Sequence, residues 1–349
     1  MLALTVRPGI ANSARVQEVA EPAPERNTLL VQTLAIGVCG TDREIIQGGY
    51  GSAPPGQDFL ILGHEALGCV LEAPVGSGFA AGDLVVGIVR RPDPVPCLHC
   101  AVGEWDMCRN GLYTEHGIKQ AHGFGAERFR IAPHYAVKLP PSLQSAGVLL
   151  EPASVVAKAW EHIEKIGRRA AWHPRRVLVT GAGPIGLLAA MLGVQRGLEV
   201  HVLDQVTEGP KPALARNLGA IYHHGSVHEA CADAEIVVEC TGVGALVYEI
   251  LRETAPDRIV CLIGIASGGR VPMIDPTALN RSMVLDNAVV FGTVNANRRH
   301  YEAAVAALAR ADHGWLERLI TRRVPYQQWQ KALARQPHDV KTVMDFTMH

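Results

Sequence analysis

Residues 177–186 read VLVTGAGPIG, and this run decides the fold. An apolar, β-rich stretch enters a G-x-G-x-x-G turn, Gly181, Gly183 and Gly186, and the apolar residues that follow, LLAAMLGV, have helical character. In such a turn the first glycine permits the sharp bend, and the second lets the backbone approach a pyrophosphate. The third lets helix and strand pack closely, and the helix N-terminus offers N–H groups to the phosphates. A glycine-rich turn is a weak signal alone, but here strand and helix flank it on the correct sides. Asp204 ends the next β-rich run, eighteen residues after Gly186. A carboxylate there accepts hydrogen bonds from an adenosine ribose and repels a 2′-phosphate. Residues 205–208, QVTE, supply no arginine, which predicts NAD over NADP; Lys211 keeps NADP as the second cofactor.

Working outward, strand and helix alternate from residue 151 onward. The strands are RRVLVT, LEVHVLD, AEIVVECTG, RIVCLIGI and AVVFGTV, and the helices include KPALARNLG and GALVYEILRETA. Apolar strands without polar alternation, separated by amphipathic helices, predict a doubly wound parallel sheet covered on both faces. Helix ASVVAKAWEHIEKI leads in, with Val155, Val156, Ala159, Ile163 and Ile166 on one face. Residues 1–150 differ: 29–39, 64–73 and 83–89 are short β-rich runs between Gly- and Pro-rich loops, which predicts an irregular β unit. Helical patterns return after residue 294, and TVMDFTMH reads as a last strand rejoining the β unit.

The 349 residues suit two or three domains, and 48% hydrophobic with 19% charged residues marks an ordinary globular chain. A net charge of -1, aromatic content of 5% and no basic run argue against a nucleic-acid partner. No apolar stretch reaches the ~18 residues of a membrane span. The N-terminus lacks the order of a secretory signal, so the cytoplasm is expected. The eight cysteines then read as metal ligands or buried thiols instead of disulfides. Cys69, Cys231, Cys240 and Cys261 lie in apolar elements and read as small core residues.

Two groups could bind metal. Cys39 in CGTD (39–42) and His64 in GHE (63–65) sit at strand ends, and both side chains are borderline-soft ligands suited to zinc. Glu65 follows, and Glu151 stands where the β unit hands over to the nucleotide unit, where a cleft would form. The second group is DPVPCLHCAVGEWDMC (93–108), with Cys97, Cys100 and Cys108. A closed tetrahedron needs a fourth ligand. Asp93 is the first choice and His99 the second; the third reading is a reduced lobe without metal.

Together these motifs resemble the zinc-dependent medium-chain alcohol dehydrogenases, and most of all their glucose 1-dehydrogenase branch. CGTD and GHE mark the family. GLYTEHGI (111–118), HGFGAE (122–127), EPASVVAKA (151–159) and TVNAN (293–297) point to the sugar branch. In many relatives the lobe reads C-x2-C-x2-C-x7-C; the first cysteine would fall at Pro94, so the departure concerns the second metal site. The resemblance implies an α/β protein with a GroES-like β-rich catalytic domain, residues 1–152 and 291–349, and a Rossmann domain, residues 153–290. It implies a catalytic zinc on Cys39, His64 and Glu151, with Glu65 as an intermittent ligand; a structural zinc on Cys97, Cys100 and Cys108 would take Asp93 as its fourth ligand in place of the missing cysteine. Thr41 would relay the substrate proton, with His64 and Glu65 in the same catalytic group. Glu115, Glu151, Thr41 and Asn295 would contact substrate. Gly181, Gly183, Pro184, Ile185, Gly186, Asp204, Thr241 and Asn295 would contact the cofactor. The implied reaction is oxidation of an aldose C1 hydroxyl to a lactone with hydride transfer to NAD(P), in a homodimer or homotetramer. Two other readings stay open: an alcohol or polyol dehydrogenase of the same family, and a non-catalytic NAD-binding sensor.

Overall fold

The computed structural model describes residues 1–231, 233–253, 255–265 and 275–348. Thr254, at the end of one expected helix, and the final His349 lie outside them. The chain divides into two units, one of Met1–Ser154 with Asn295–His349, the other of Val155–Val294. The second unit thus begins two residues later than the motifs imply and keeps residues 291–294. The strand Val289–Gly292 is the reason: it pairs in parallel with Ile259–Leu262 and completes the nucleotide sheet.

That sheet has six parallel strands in the order Ile221–His223, Glu199–Leu203, Arg176–Thr180, Ile236–Glu239, Ile259–Leu262, Val289–Gly292. Chain order reverses between Arg176–Thr180 and Ile236–Glu239. In a doubly wound sheet the crevice at such a reversal is where ligands bind. The glycine turn leaves the first of these strands and Thr241 follows the second, so both lie at the carboxyl ends that face this point. The helix Pro184–Val194 begins on a proline, whose missing N–H costs nothing in a first turn. Gly186 to Gly193 are all buried, as a helix apolar on every side requires.

The first unit holds a seven-stranded mixed sheet. Its path runs Ala136–Leu139, Leu84–Gly87, Glu65–Glu72, Leu29–Gly37, Lys341–Asp345, Ile320–Pro325, and Arg128–Ile131 also pairs with Leu29–Gly37. The expected C-terminal strand is therefore present, antiparallel to Leu29–Gly37. Leu29, Val31, Ile36, Val70, Phe124 and Phe129 form part of its core. Register then places the chemistry. Gly37 lies opposite Glu65 on one side and Val343 on the other. A Cβ on Gly37 would stand 2.1 Å from Glu65 Oε2 and 2.9 Å from Lys341 Cε, so only glycine lets these side chains meet above the strand.

Candidate active site

Cys39 ends this central strand region and caps the helix Gly40–Ile46 from an extended backbone. Its backbone N–H donates to Asp42 Oδ2 at 2.8 Å, which fixes the turn that presents the thiol. Thr41 follows, its Oγ1 3.8 Å from Cys39 Sγ. His64 enters from the loop before Glu65–Glu72. Ligand atoms of Cys39, His64 and Glu65 all lie within 4.8 Å of one another. His64 and Glu65 are buried and Cys39 is half-buried.

The polar surroundings suit a cation. His64 Nδ1 faces the buried Asp42 carboxylate at 3.4 Å. Metal-ligating histidines ordinarily have such a carboxylate behind them. Burial opposes charge on His64, yet Asp42, helped by Cys39, holds the imidazole well above its ordinary range. Burial pushes the Glu151 carboxyl up to about 7; Glu65 and Asp42 add to this while His64 and Lys341 oppose it. Glu151 therefore lies within electrostatic reach of the group but outside the tight trio, which takes Glu65 instead. A thiol, an imidazole and carboxylates converging with few other partners fit a zinc ion.

Glu65 also forms a buried ion pair with Lys341, whose Nζ donates to Val38 O at 3.0 Å. Sequence reading missed both Lys341 and Asp42. The fourth residue of CGTD was a legible signal for Asp42; nothing local marks Lys341.

Glu115 and Asn295 come together as expected of a shared subsite: Asn295 Nδ2 donates to Glu115 Oε1. Glu115 is buried and also accepts from Arg90 Nε at 3.1 Å and Nη2 at 3.0 Å, another partnership the motifs did not reveal. The segment carrying Glu115 packs onto the His64 loop. A Cβ on Gly117 would stand 2.8 Å from Gly63 O, and Phe124 N donates to the same carbonyl at 2.8 Å. Glu115 lies two positions before Gly117, and Gly63 precedes His64, so the segments carrying Glu115 and His64 are in contact.

In the nucleotide unit Gly181 has φ +87, and a Cβ on Gly186 would stand 1.7 Å from Gly181 O. A Cβ on Gly183 would meet nothing within 4 Å, the open approach a pyrophosphate needs. Pro184 and Ile185 open the helix, and the methyl carbon of Thr241 would stand 2.9 Å from a Cβ on Gly181. Asp204 Oδ2 accepts from Ala182 N at 2.7 Å and Oδ1 from Val206 N at 3.0 Å. Lys211 Nζ lies 3.2 Å from Asp204 Oδ2, so the carboxylate that should repel a 2′-phosphate carries its own cation. Lys211→Ala should therefore raise KM for NADP about tenfold and leave KM for NAD within about twofold, the size of one charge-assisted hydrogen bond. Steady-state kinetics with both cofactors check this; equal changes would remove Lys211 from cofactor choice.

In the lobe, Cys97, Cys100 and Cys108 place their sulfurs within 4.8 Å of one another. N–H groups of Arg109 and Cys100 draw the Cys97 thiol down to about 6. The carboxylate of Asp93 does not join this cluster. Asp93 Oδ1 instead accepts from Val95 N at 2.8 Å, closing its own turn, and Asp93 meets Cys100 through its backbone. Nor does His99, whose Nδ1 faces Glu104 Oε2 at 3.8 Å.

A doubly wound sheet with this glycine loop, joined to a β unit carrying a Cys–His–Glu group, defines a medium-chain dehydrogenase. Comparison with known proteins agrees in both halves: residues 25–141 match the alcohol dehydrogenase GroES-like domain, and residues 144–346 match the glucose dehydrogenase C-terminus. Glucose 1-dehydrogenase of Methanocella arvoryzae is 39% identical over 99% of each chain, and glucose 1-dehydrogenase 2 of Vulcanisaeta moutnovskia is 40% identical over 99% of each. The structure of Haloferax mediterranei glucose dehydrogenase with NADP, Zn and gluconolactone superposes with a TM-score of 0.91, at 33% identity and full coverage of both chains. The chain belongs to the zinc-dependent medium-chain alcohol dehydrogenase family, in its glucose 1-dehydrogenase branch. No helix among the described residues is long and apolar enough to cross a membrane.

Proposed function

We propose that the chain oxidises the C1 hydroxyl of an aldose, glucose or a close relative, to a lactone with NAD(P) as hydride acceptor. The observation that carries this reading is the buried Glu115–Asn295 pair, on a segment whose Gly117 packs against Gly63, the residue before His64. A simple alcohol needs a mainly apolar pocket, whereas a polyol needs carboxylate and amide partners for its hydroxyls. Cys39, His64 and Glu65, with Glu151 close by, would hold zinc, which supplies Lewis-acid polarisation of the carbinol oxygen. Thr41 both accepts and donates a hydrogen bond, so its hydroxyl takes the C1 hydroxyl proton and passes one to solvent. Hydride leaves C1 for nicotinamide C4, and the products are lactone, reduced cofactor and one proton. Glu115 and Asn295 orient the ring, and the glycine loop holds the dinucleotide. Cys97, Cys100 and Cys108, with Asp93, whose buried Oδ2 has no partner, as the fourth ligand, would hold a second, structural zinc. A cytoplasmic location and a homodimer or homotetramer belong to the same proposal, supported by the motif resemblance alone.

The test is reduced-cofactor formation at 340 nm with zinc-replete protein. The panel is glucose, galactose, xylose, arabinose and fucose, beside sorbitol, ethanol and benzyl alcohol, each with NAD and NADP. Turnover confined to aldoses is the expected result. Turnover confined to sorbitol or simple alcohols would overturn the sugar assignment and keep the dehydrogenase chemistry. Bound NAD and zinc without turnover of any member would favour a sensor.

A further inference from the structure

Arg90 lies at the centre of the hydroxyl-binding group, although no motif singled it out. The short strand Arg90–Arg91 pairs antiparallel with Thr114–His116, and register sets Arg90 directly opposite Glu115. Arg90 is 5% exposed, and its guanidinium lies over the Tyr113 ring, 3.6 Å from the centroid. Two of its nitrogens donate to Glu115 Oε1, and Nη1 donates to Asp106 O at 3.2 Å. Asp106 in turn accepts from Asn297 Nδ2 at 2.7 Å through Oδ1. Arg90 thus ties the strand carrying Glu115 to the segment 105–107, and Asp106 ties that segment to Asn297, two positions after Asn295, which itself sits at φ +66.

The bonding pattern has a consequence for Glu115. Oε1 takes all three bonds, from Arg90 Nε, Arg90 Nη2 and Asn295 Nδ2, so Oε2 is the oxygen left for a ligand hydroxyl. Two adjacent nitrogens of one planar guanidinium converge on Oε1 and anchor that oxygen, an arrangement the single point charge of a lysine does not reproduce. The cation is also offset by Glu115, so the pair carries no net charge toward a ligand. A neutral polyhydroxy compound suits that balance better than a phosphorylated or carboxylated one. We propose that Arg90 is the positioning residue of the sugar subsite, holding Glu115 and Asn295 so that Glu115 Oε2 meets a hydroxyl of an uncharged aldose. This rests on the aldose reading above.

The experiment compares Arg90→Met, Arg90→Lys, Glu115→Gln and the Arg90→Met/Glu115→Gln double variant with the parent enzyme. Aldose kinetics, cofactor binding by reduced-nicotinamide fluorescence and thermal melts are recorded for each. The parent is assayed first: no aldose turnover there defeats the aldose reading itself, not the role of Arg90 within it. With an active parent, Arg90→Met should raise aldose KM about 10- to 100-fold, the size of charge-assisted bonds lost from the subsite. Its kcat should stay within about threefold and its cofactor affinity should be unchanged, a split that general loosening of the fold would not give. Glu115→Gln should raise KM similarly, and the double variant should be no worse than the poorer single one, because both act on one contact. Arg90→Lys should recover part of the loss, since lysine keeps the charge without the fork. Unchanged KM in Arg90→Met, or multiplied effects in the double variant, would overturn the assignment. If Arg90→Met does not fold, Arg90→Lys decides: parental KM in that variant overturns it equally.

Discussion

A Cys39→Ala chain is expected to lose aldose turnover by about 10³-fold or more while keeping its fold and its dinucleotide affinity. The thiol is one of three ligand atoms gathered within 4.8 Å, and it is the softest of them. Alanine removes a ligand without adding volume, and the half-buried site loses no large apolar contact. Polarisation of the carbinol oxygen is worth several kcal/mol, which at ~1.4 kcal/mol per decade corresponds to three decades or more. The measurement is kcat/KM beside zinc content per chain. Zinc should fall by one equivalent, and metal held by Cys97, Cys100 and Cys108 should remain. Loss of all metal would argue against two independent sites, and parental turnover would remove Cys39 from catalysis.

The second large effect concerns stability. Lys341→Met is expected to destabilise the first unit by about 3–5 kcal/mol, the range for removing one partner of a buried ion pair. The Lys341 and Glu65 side chains are 1% and 3% exposed, so water cannot take over from the missing ammonium. Val38 O loses its donor in the same step. Denaturant unfolding gives the magnitude. Lys341→Met/Glu65→Gln should regain much of the loss, because the unpaired charge is then gone. A Lys341→Met chain as stable as the parent would mean that Glu65 finds another cation. The Glu65 carboxylate held by Lys341 is the same one that lies within 4.8 Å of the Cys39 and His64 ligand atoms.

Much of the molecule was legible residue by residue because the signals are local. Gly181, Gly183 and Gly186 mark a strand-to-helix turn by spacing alone, and the unbroken apolar strands around them demand a covered parallel sheet. Cys39, His64 and Glu65 could be named from two short motifs, and the structure gathers all three. Cys97, Cys100 and Cys108 are likewise grouped by their spacing, and the β-rich C-terminal run marks the strand that returns to the β unit. Asp93, whose buried Oδ2 has no hydrogen-bond partner, is the member of the lobe that spacing alone does not place. Proximity in sequence puts its carboxylate within reach of the thiols, but its own turn takes Oδ1 at Val95 N.

By itself, then, the sequence determined the two-unit α/β architecture and the glycine loop, and it named the six Cys, His and Glu side chains that the structure gathers into two groups. These follow from hydrophobic period, turn chemistry and ligand softness, properties that a few consecutive residues carry. The tertiary structure alone decided which charges meet. Lys341 reaches Glu65 across 276 residues because two strands flank Gly37 in one register. Arg90 faces Glu115 because two short strands pair with those residues opposed. Asp42 stands behind His64, and Lys211 beside Asp204, for the same kind of reason. A buried charge must find its counter-charge wherever packing brings one, and no local pattern in the chain encodes where that will be.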